Sequence, residues 1–283
     1  MKINQYTTVS EFLEKCENVL LKNETQNNLI LGLADSLLKR KREGNGTLFF
    51  SFEDHSGIIG AALRTDVEKP LSISEVSNKA TDALIIYLIK QKIDIGGVVG
   101  EIITSTNFSH KYSENLKKPL KLIMHQGVYQ LDNLIMPEVN GCNLKVANQG
   151  DLDVVETFVR GFIVDCFPDD KSALDNVKAM SKRHIDNKVL YLLEDSQGQF
   201  VSMACNNRET KNSGCVSLVY TPKGQRGRGF GSIVTALSSQ QVLKKGKSFC
   251  NLFTDLSNPT SNHIYKKMGY IQIGESKHFS FVS

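Results

Sequence analysis

Apolar positions along the chain follow two periods, and their alternation predicts the elements. Residues 11–42 carry two helical patterns, the second with Leu29, Ile30, Leu33, Leu37 and Leu38 on one face. Period-two runs at 48–52 and 58–64 flank Asp54, His55, Ser56 and Gly57 and read as a hairpin. A strand at 71–76, a helix at 81–91, a buried strand at 97–103, a helix at 105–116 and one or two strands over 120–131 follow. From about residue 143 the same order returns. A strand at 144–147 precedes helices at 152–163 and 171–185, and a hairpin at 189–194 and 200–206 turns through Asp195, Ser196, Gln197 and Gly198. Then come a strand at 215–220, a helix at 232–243, a strand at 249–254 and a short helix from Asn258 and Pro259 to Gly269. Runs at 271–273 and 279–282 are expected to close the second sheet. The repeated order predicts two domains, 1–132 and 133–283, of the α/β class, each an α+β mixed sheet flanked by helices.

Composition sets bounds on this picture. A chain of 283 residues with 40% hydrophobic and 23% charged residues can fill two soluble cores. No apolar window is long enough to span a bilayer, and the first ten residues lack a signal pattern, so a cytoplasmic protein without a membrane partner is expected. Six cysteines without CxxC spacing read as reduced, buried small hydrophobes. The net charge of +4 is slight. Two basic runs, Lys39 to Arg42 and Lys244, Lys245 and Lys247, could face nucleic acid, but cations at helix ends are usually solvated, so no nucleic-acid partner is expected.

One stretch carries chemistry. After the strand at 215–220, Thr221 and Pro222 break the pattern, and Arg226, Gly227, Arg228, Gly229, Phe230 and Gly231 lead into a helix. Glycines at alternate positions remove the Cβ atoms that would keep a ligand off the backbone, so successive N–H groups can converge on phosphate oxygens. The helix adds its positive end, and two arginines add charges suited to phosphate. A Walker loop is excluded because Ser232 and Ile233, not Lys and Ser/Thr, follow Gly231. A dinucleotide loop needs its third glycine one residue later, although Asp255 lies near the distance of a ribose ligand.

Arg226, Gly229 and Gly231 match the coenzyme A loop of the GCN5-related N-acetyltransferase (GNAT) superfamily, and Asn258, Pro259, Asn262, Tyr265, Gly269 and Tyr270 resemble its second motif. The resemblance covers the order of elements over residues 143–283, with a weaker second copy over 1–130. It implies two GNAT-like domains, each a mostly antiparallel sheet with a splayed central strand pair, and an acetyl-CoA-dependent N-acetyltransferase acting on a primary amine of a small molecule or peptide, with no metal. By resemblance, backbone groups of Val219, Tyr220 and Thr221 hold the pantetheine arm and polarise the thioester carbonyl. The amides of Arg226 through Gly231 take the pyrophosphate, Asn258 bonds the pantetheine amide, and Tyr265 protonates the thiolate. The first half reads Ser77, Asn78, Lys79, Ala80, Thr81, Asp82 and Ala83 where the loop would stand, so it resembles a degenerate copy; an unrelated α/β cap domain is the alternative.

The general base is less legible, because 215–220 contains no carboxylate. Glu209 and Asp255 are candidates acting through water, and each reads equally as a surface acid. Asp165, Asp169 and Asp170, near Pro168, could attract a cationic amine or form a solvated loop. The rival from another class is a non-catalytic acyl-CoA-binding or scaffold module.

Overall fold

Strand β1, Lys2–Tyr6, is the element the apolar pattern does not announce, since only Ile3 and Tyr6 in it are apolar. It is an edge strand, paired antiparallel to β2 from Lys2↔Glu53 to Tyr6↔Phe49, with the Tyr6 hydroxyl 2.7 Å from Ser51 Oγ. The computed structural model describes residues 1–40 and 44–282. Of the basic run at 39–42, Lys41 and Arg42 lie outside the described residues, while Lys39 pairs with Asp35 at 2.7 Å.

After β1 come α1 (Val9–Leu21), α2 (Asn28–Arg40), β2 (Leu48–Asp54), β3 (Gly57–Arg64), β4 (Leu71–Ile73), α3 (Asn78–Lys90), β5 (Gly97–Glu101), α4 (Ile102–Leu116) and β6 (Leu120–Leu131). Thr8 caps α1 by accepting from the Glu11 amide, satisfying one of the orphan donors of a helix start. Alternation along β2 sends Phe49 to the α1–α2 side, where Phe12, Leu20 and Leu63 meet it, and Phe50 and Phe52 to the α3–α4 side, with Leu84, Phe108 and Tyr112. Both layers are predicted by periodicity. The strand expected to reach residue 76 stops at Ile73.

The second series is β7 (Asn143–Val146), α5 (Leu152–Cys166), α6 (Lys171–Asp175), α7 (Val177–Asp186), β8 (Leu190–Glu194), β9 (Phe200–Glu209), β10 (Ser213–Tyr220), α8 (Phe230–Lys244), β11 (Phe249–Asp255), α9 (Pro259–Lys267) and β12 (Ile271–Phe281). The helix expected at 171–185 is two helices, because Asn176 takes a non-helical turn between them. Helix α8 buries residues all round, Phe230, Ile233, Val234, Ser238, Ser239 and Val242 among them, as a central helix does. On the opposite sheet face Val155, Val159, Ile163 and Ile185 of α5 and α7 pack on Leu190, Leu192 and Met203. Among the described residues no helix is long and apolar enough to cross a membrane.

The chain divides into two compact units: residues 1–129, 253–259 and 272–283 form the first, and 130–252 with 260–271 the second. Strand order in the first is β1-β2-β3-β4-β5-β12-β6, and in the second β11-β10-β9-β8-β7. The end of the chain therefore departs from expectation. Instead of two short strands closing the second sheet, β12 is one strand that pairs antiparallel with β5 from Ser276↔Glu101 to Ser280↔Gly97. Its Phe279 and Phe281 complete the first unit's core beside Phe108 and Tyr112, and that apolar burial gives the pairing its reason. Five cysteines are buried as expected, but Cys166, ending α5, is exposed.

His184 of α7 is buried with Nδ1 3.8 Å from Cys205 Sγ. Burial, with nearby Arg183 adding to it, pushes its pKa down to about 4. The unfolded chain then binds a proton below its ordinary value near 6.5 that the folded protein refuses, so stability falls as pH drops from about 6.5 to 4, by on the order of 3 kcal/mol when complete. Thermal melts across that window should show a shallower loss in His184→Asn than in the parent protein; equal slopes would contradict the assignment.

Candidate functional site in the second unit

The site begins with a strand that loses its neighbour. The parallel ladder between β10 and β11 runs only over Ser213↔Phe249, Gly214↔Cys250 and Cys215↔Asn251. Beyond Cys215, β10 continues to Tyr220 with no parallel partner among the described residues, so one edge of its backbone is left to other acceptors and donors. On its other edge β10 is irregular. Ser217 faces Cys205 and Tyr220 faces Met203, so Leu218 and Val219 together oppose Ala204, a β-bulge. Leu218 has φ +49, a left-handed conformation costing a branched residue about 1–3 kcal/mol and found where surrounding packing over-determines it. Here Leu218 packs against the α5–α7 core.

The end of β10 is fastened by side chains. Ser202 Oγ donates to the Tyr220 carbonyl at 2.8 Å and lies 2.9 Å from Thr221 Oγ1. The loop follows, and α8 starts at Phe230 rather than at 232. Gly229 is at φ +82 and Gly227 at φ +78, and a Cβ on either would meet no atom within 4 Å. These glycines line open space, and their conformations are ones that L side chains rarely adopt. Among the described residues the backbone N–H groups of Gly227, Arg228, Gly229, Phe230 and Gly231 donate to no protein oxygen, whereas Ser232 and Ile233 donate to the Gly229 carbonyl at 3.0 and 3.1 Å. These are five adjacent unpaired donors at the positive end of a fifteen-residue helix, the setting an anion favours.

The two loop arginines are placed differently from the expectation that both reach for phosphate. Arg228 is exposed, its guanidinium 4.8 Å from the Phe230 ring centroid and Nη1 2.5 Å from Gln225 Oε1. Arg226 turns back toward the protein. Its Nε–H donates to the Thr221 carbonyl at 2.9 Å, its Nη2 to Asp165, and its guanidinium sits 5.7 Å from the Tyr220 ring centroid. That hydrogen bond holds the Asp165 carboxyl below the usual carboxylate range. Asp165 is therefore spent on loop cations instead of an amine. Asp170 is spent too, capping α6 by accepting from the Ala173 amide at 2.9 Å, while Asp169 is exposed.

Tyr265 lies in α9, 8% exposed, with its ring edge-on to Tyr270 at 6.0 Å. Burial pushes its phenol up to about 12, the nearby Cys166 adding to this and a hydrogen bond with Ser261 opposing it. Because Cys166 follows Asp165, the last turn of α5 borders Arg226 through one residue and Tyr265 through the next. The loop and Tyr265 each neighbour that turn, through Asp165 and Cys166 respectively. Glu209 does not join them. It faces Gly214 at the far end of β10, roughly 20 Å from Tyr220 at about 3.3 Å per residue, and it pairs with Lys245 at 2.9 Å. Asp255 and Asn258 fall in the first unit's segment 253–259, in one turn where Asp255 Oδ1 accepts from the Ser257 amide at 2.8 Å and its carbonyl from the Asn258 amide at 3.1 Å. Sequence reasoning missed the bulge at Leu218, Ser202 and Gly161; only Gly161, a glycine inside an apolar helix, carried a signal of close approach.

In the first unit the segment between β4 and α3 carries neither glycine nor arginine. Val76 donates to Thr104 Oγ1 at 3.2 Å, its carbonyl accepts from that hydroxyl at 3.3 Å, and its side chain occupies the space a Cβ on Gly60 would need.

The family model described as FR47-like protein matches residues 197–279, a span holding the bulged strand and the loop. A search of curated proteins found no match. Among solved structures, a Drosophila protein is 12% identical with a TM-score of 0.68, covering 99% of this chain and 98% of its own. An acetyltransferase of the GNAT family from Colwellia psychrerythraea is 11% identical with a TM-score of 0.56, covering 99% and 100%. A tandem GNAT protein from the clavulanic acid biosynthesis pathway is 10% identical with a TM-score of 0.57, covering 98% of each. At these identities the structural likeness speaks to fold. The chain thus has the fold of these GNAT-family structures, and the FR47-like match lies across the glycine loop of its second unit.

Proposed function

We propose that the second unit is an acetyl-CoA-dependent N-acetyltransferase acting on a primary amine of a small molecule or peptide. The observation that carries this reading is the row of unpaired amides at 227–231 around glycines whose missing Cβ atoms leave open space. A diphosphate fits such a row, since each oxygen can accept from converging N–H groups. Coenzyme A bound there would supply an acetyl thioester with a thiolate leaving group. The unpartnered edge of β10 offers backbone groups at Val219, Tyr220 and Thr221 to an extended arm, as an added strand would use them. The bulge re-aims the main chain at Val219, where an N–H donor would stabilise developing charge on a carbonyl oxygen. A phenol is neutral at pH 7, so Tyr265 Oη would hold the proton that the departing thiolate takes. No strand carboxylate serves as base, and Glu209, opposite the far end of β10, lies too far away to act as one, so the amine would attack in its neutral form and pass its proton to water.

A non-catalytic acyl-CoA-binding module is the second reading, favoured by the absence of any carboxylate on β10. Tyr265→Phe separates the two. An acetyltransferase should keep its coenzyme affinity and lose thiol release with amine acceptors by about a hundredfold or more, whereas equal release in both proteins would remove Tyr265 from the chemistry.

Ligand class is tested by thermal shift. Acetyl-CoA and CoA at a hundredfold their dissociation constants should stabilise the protein by about 2.7 kcal/mol, with NAD and ATP giving smaller shifts. Gly229→Glu should abolish the coenzyme response by filling the cradle with a charged side chain. A response to NAD or ATP alone would overturn the coenzyme A assignment.

A further inference from the structure

Three α5 residues at helical spacing, Phe158, Gly161 and Asp165, meet the end of β10 and its loop. The Phe158 ring lies 5.9 Å from the Tyr220 ring at 57°. A Cβ on Gly161 would overlap the Tyr220 hydroxyl, so glycine lets that side chain reach the helix. Asp165 binds Arg226 through Oδ2 and faces Lys223 Nζ through Oδ1 at 3.6 Å. Positions i, i+3 and i+7 share one helix face. This face therefore holds Tyr220 and, through Arg226, the carbonyl of Thr221 at the mouth of the loop.

We propose that Asp165 is a positioning residue for the anion cradle: it fixes Arg226, and with it the start of the loop, so that the amides of 227–231 converge before any ligand arrives. The inference rests on the coenzyme A reading of the cradle. Two effects of the carboxylate oppose each other. As a negative charge near the cradle it repels a diphosphate; as the anchor of Arg226 it pre-organises the donors and lowers the ordering cost of binding. Two loop cations, Arg226 and Lys223, face this one carboxylate, so the cluster stays cationic and repulsion is the weaker effect.

The sign of a single substitution decides. Asp165→Asn keeps the side-chain shape and removes the charge, so repulsion alone predicts tighter binding and positioning predicts weaker binding. Isothermal titration of the full chain with CoA and with inorganic diphosphate should give at least tenfold weaker binding in Asp165→Asn, with an unchanged ligand-free melting temperature. Asp165→Glu keeps the charge but displaces it, and should weaken binding severalfold, between parent and Asp165→Asn. Equal or tighter binding in Asp165→Asn overturns the inference; if that variant is poorly folded, unaltered affinity in Asp165→Glu overturns it instead. A parent protein that binds neither probe removes the coenzyme A reading itself, while a parent that binds with variants unaffected removes only the role of Asp165.

Discussion

A β-strand that stops pairing while it continues to run is the constraint behind the site. From Val216 to Tyr220 the backbone of β10 has β9 on one edge and, among the described residues, no parallel partner on the other. Such an edge normally invites association, and here it coincides with a bulge and a leucine held at positive φ. The strain persists because Leu218 and Tyr220 are gripped by the core under α5 and α7. The same packing that fixes the second unit thus keeps the edge open and its polar groups aligned.

Charge in the region is distributed by geometry more than by composition. Arg226 has its guanidinium occupied by Thr221, Asp165 and the Tyr220 ring, whereas the amides of 227–231 have no protein acceptor among the described residues. Amides of a preset loop lose little entropy on binding, whereas a long arginine side chain loses more. Burial also acts on Tyr265 in α9, raising its pKa to about 12.

The two halves share an order of elements and differ where β4 and β10 end. In the first, the segment after β4 carries no glycine, and Val76 is tied to a threonine hydroxyl of α4. In the second, two glycines at positive φ border open space.

By itself, the sequence determined the periodic helices, the two hairpins, the repeat and the glycine loop, because each is a local pattern of burial or backbone freedom. It also marked Tyr265 through its spacing from Asn258, and it showed that the first copy lacks a glycine cradle. It did not determine β1, whose few apolar residues match an edge strand too weakly, nor the single strand β12, whose pairing with β5 depends on Phe279 and Phe281 finding a core nearly 180 residues earlier in the chain. Only the tertiary structure decided that Glu209 sits at the far end of its strand, that Leu218 is the bulge, and that Asp165 answers to Arg226. A side chain's partner depends on what folds against it from elsewhere, and no local pattern carries that.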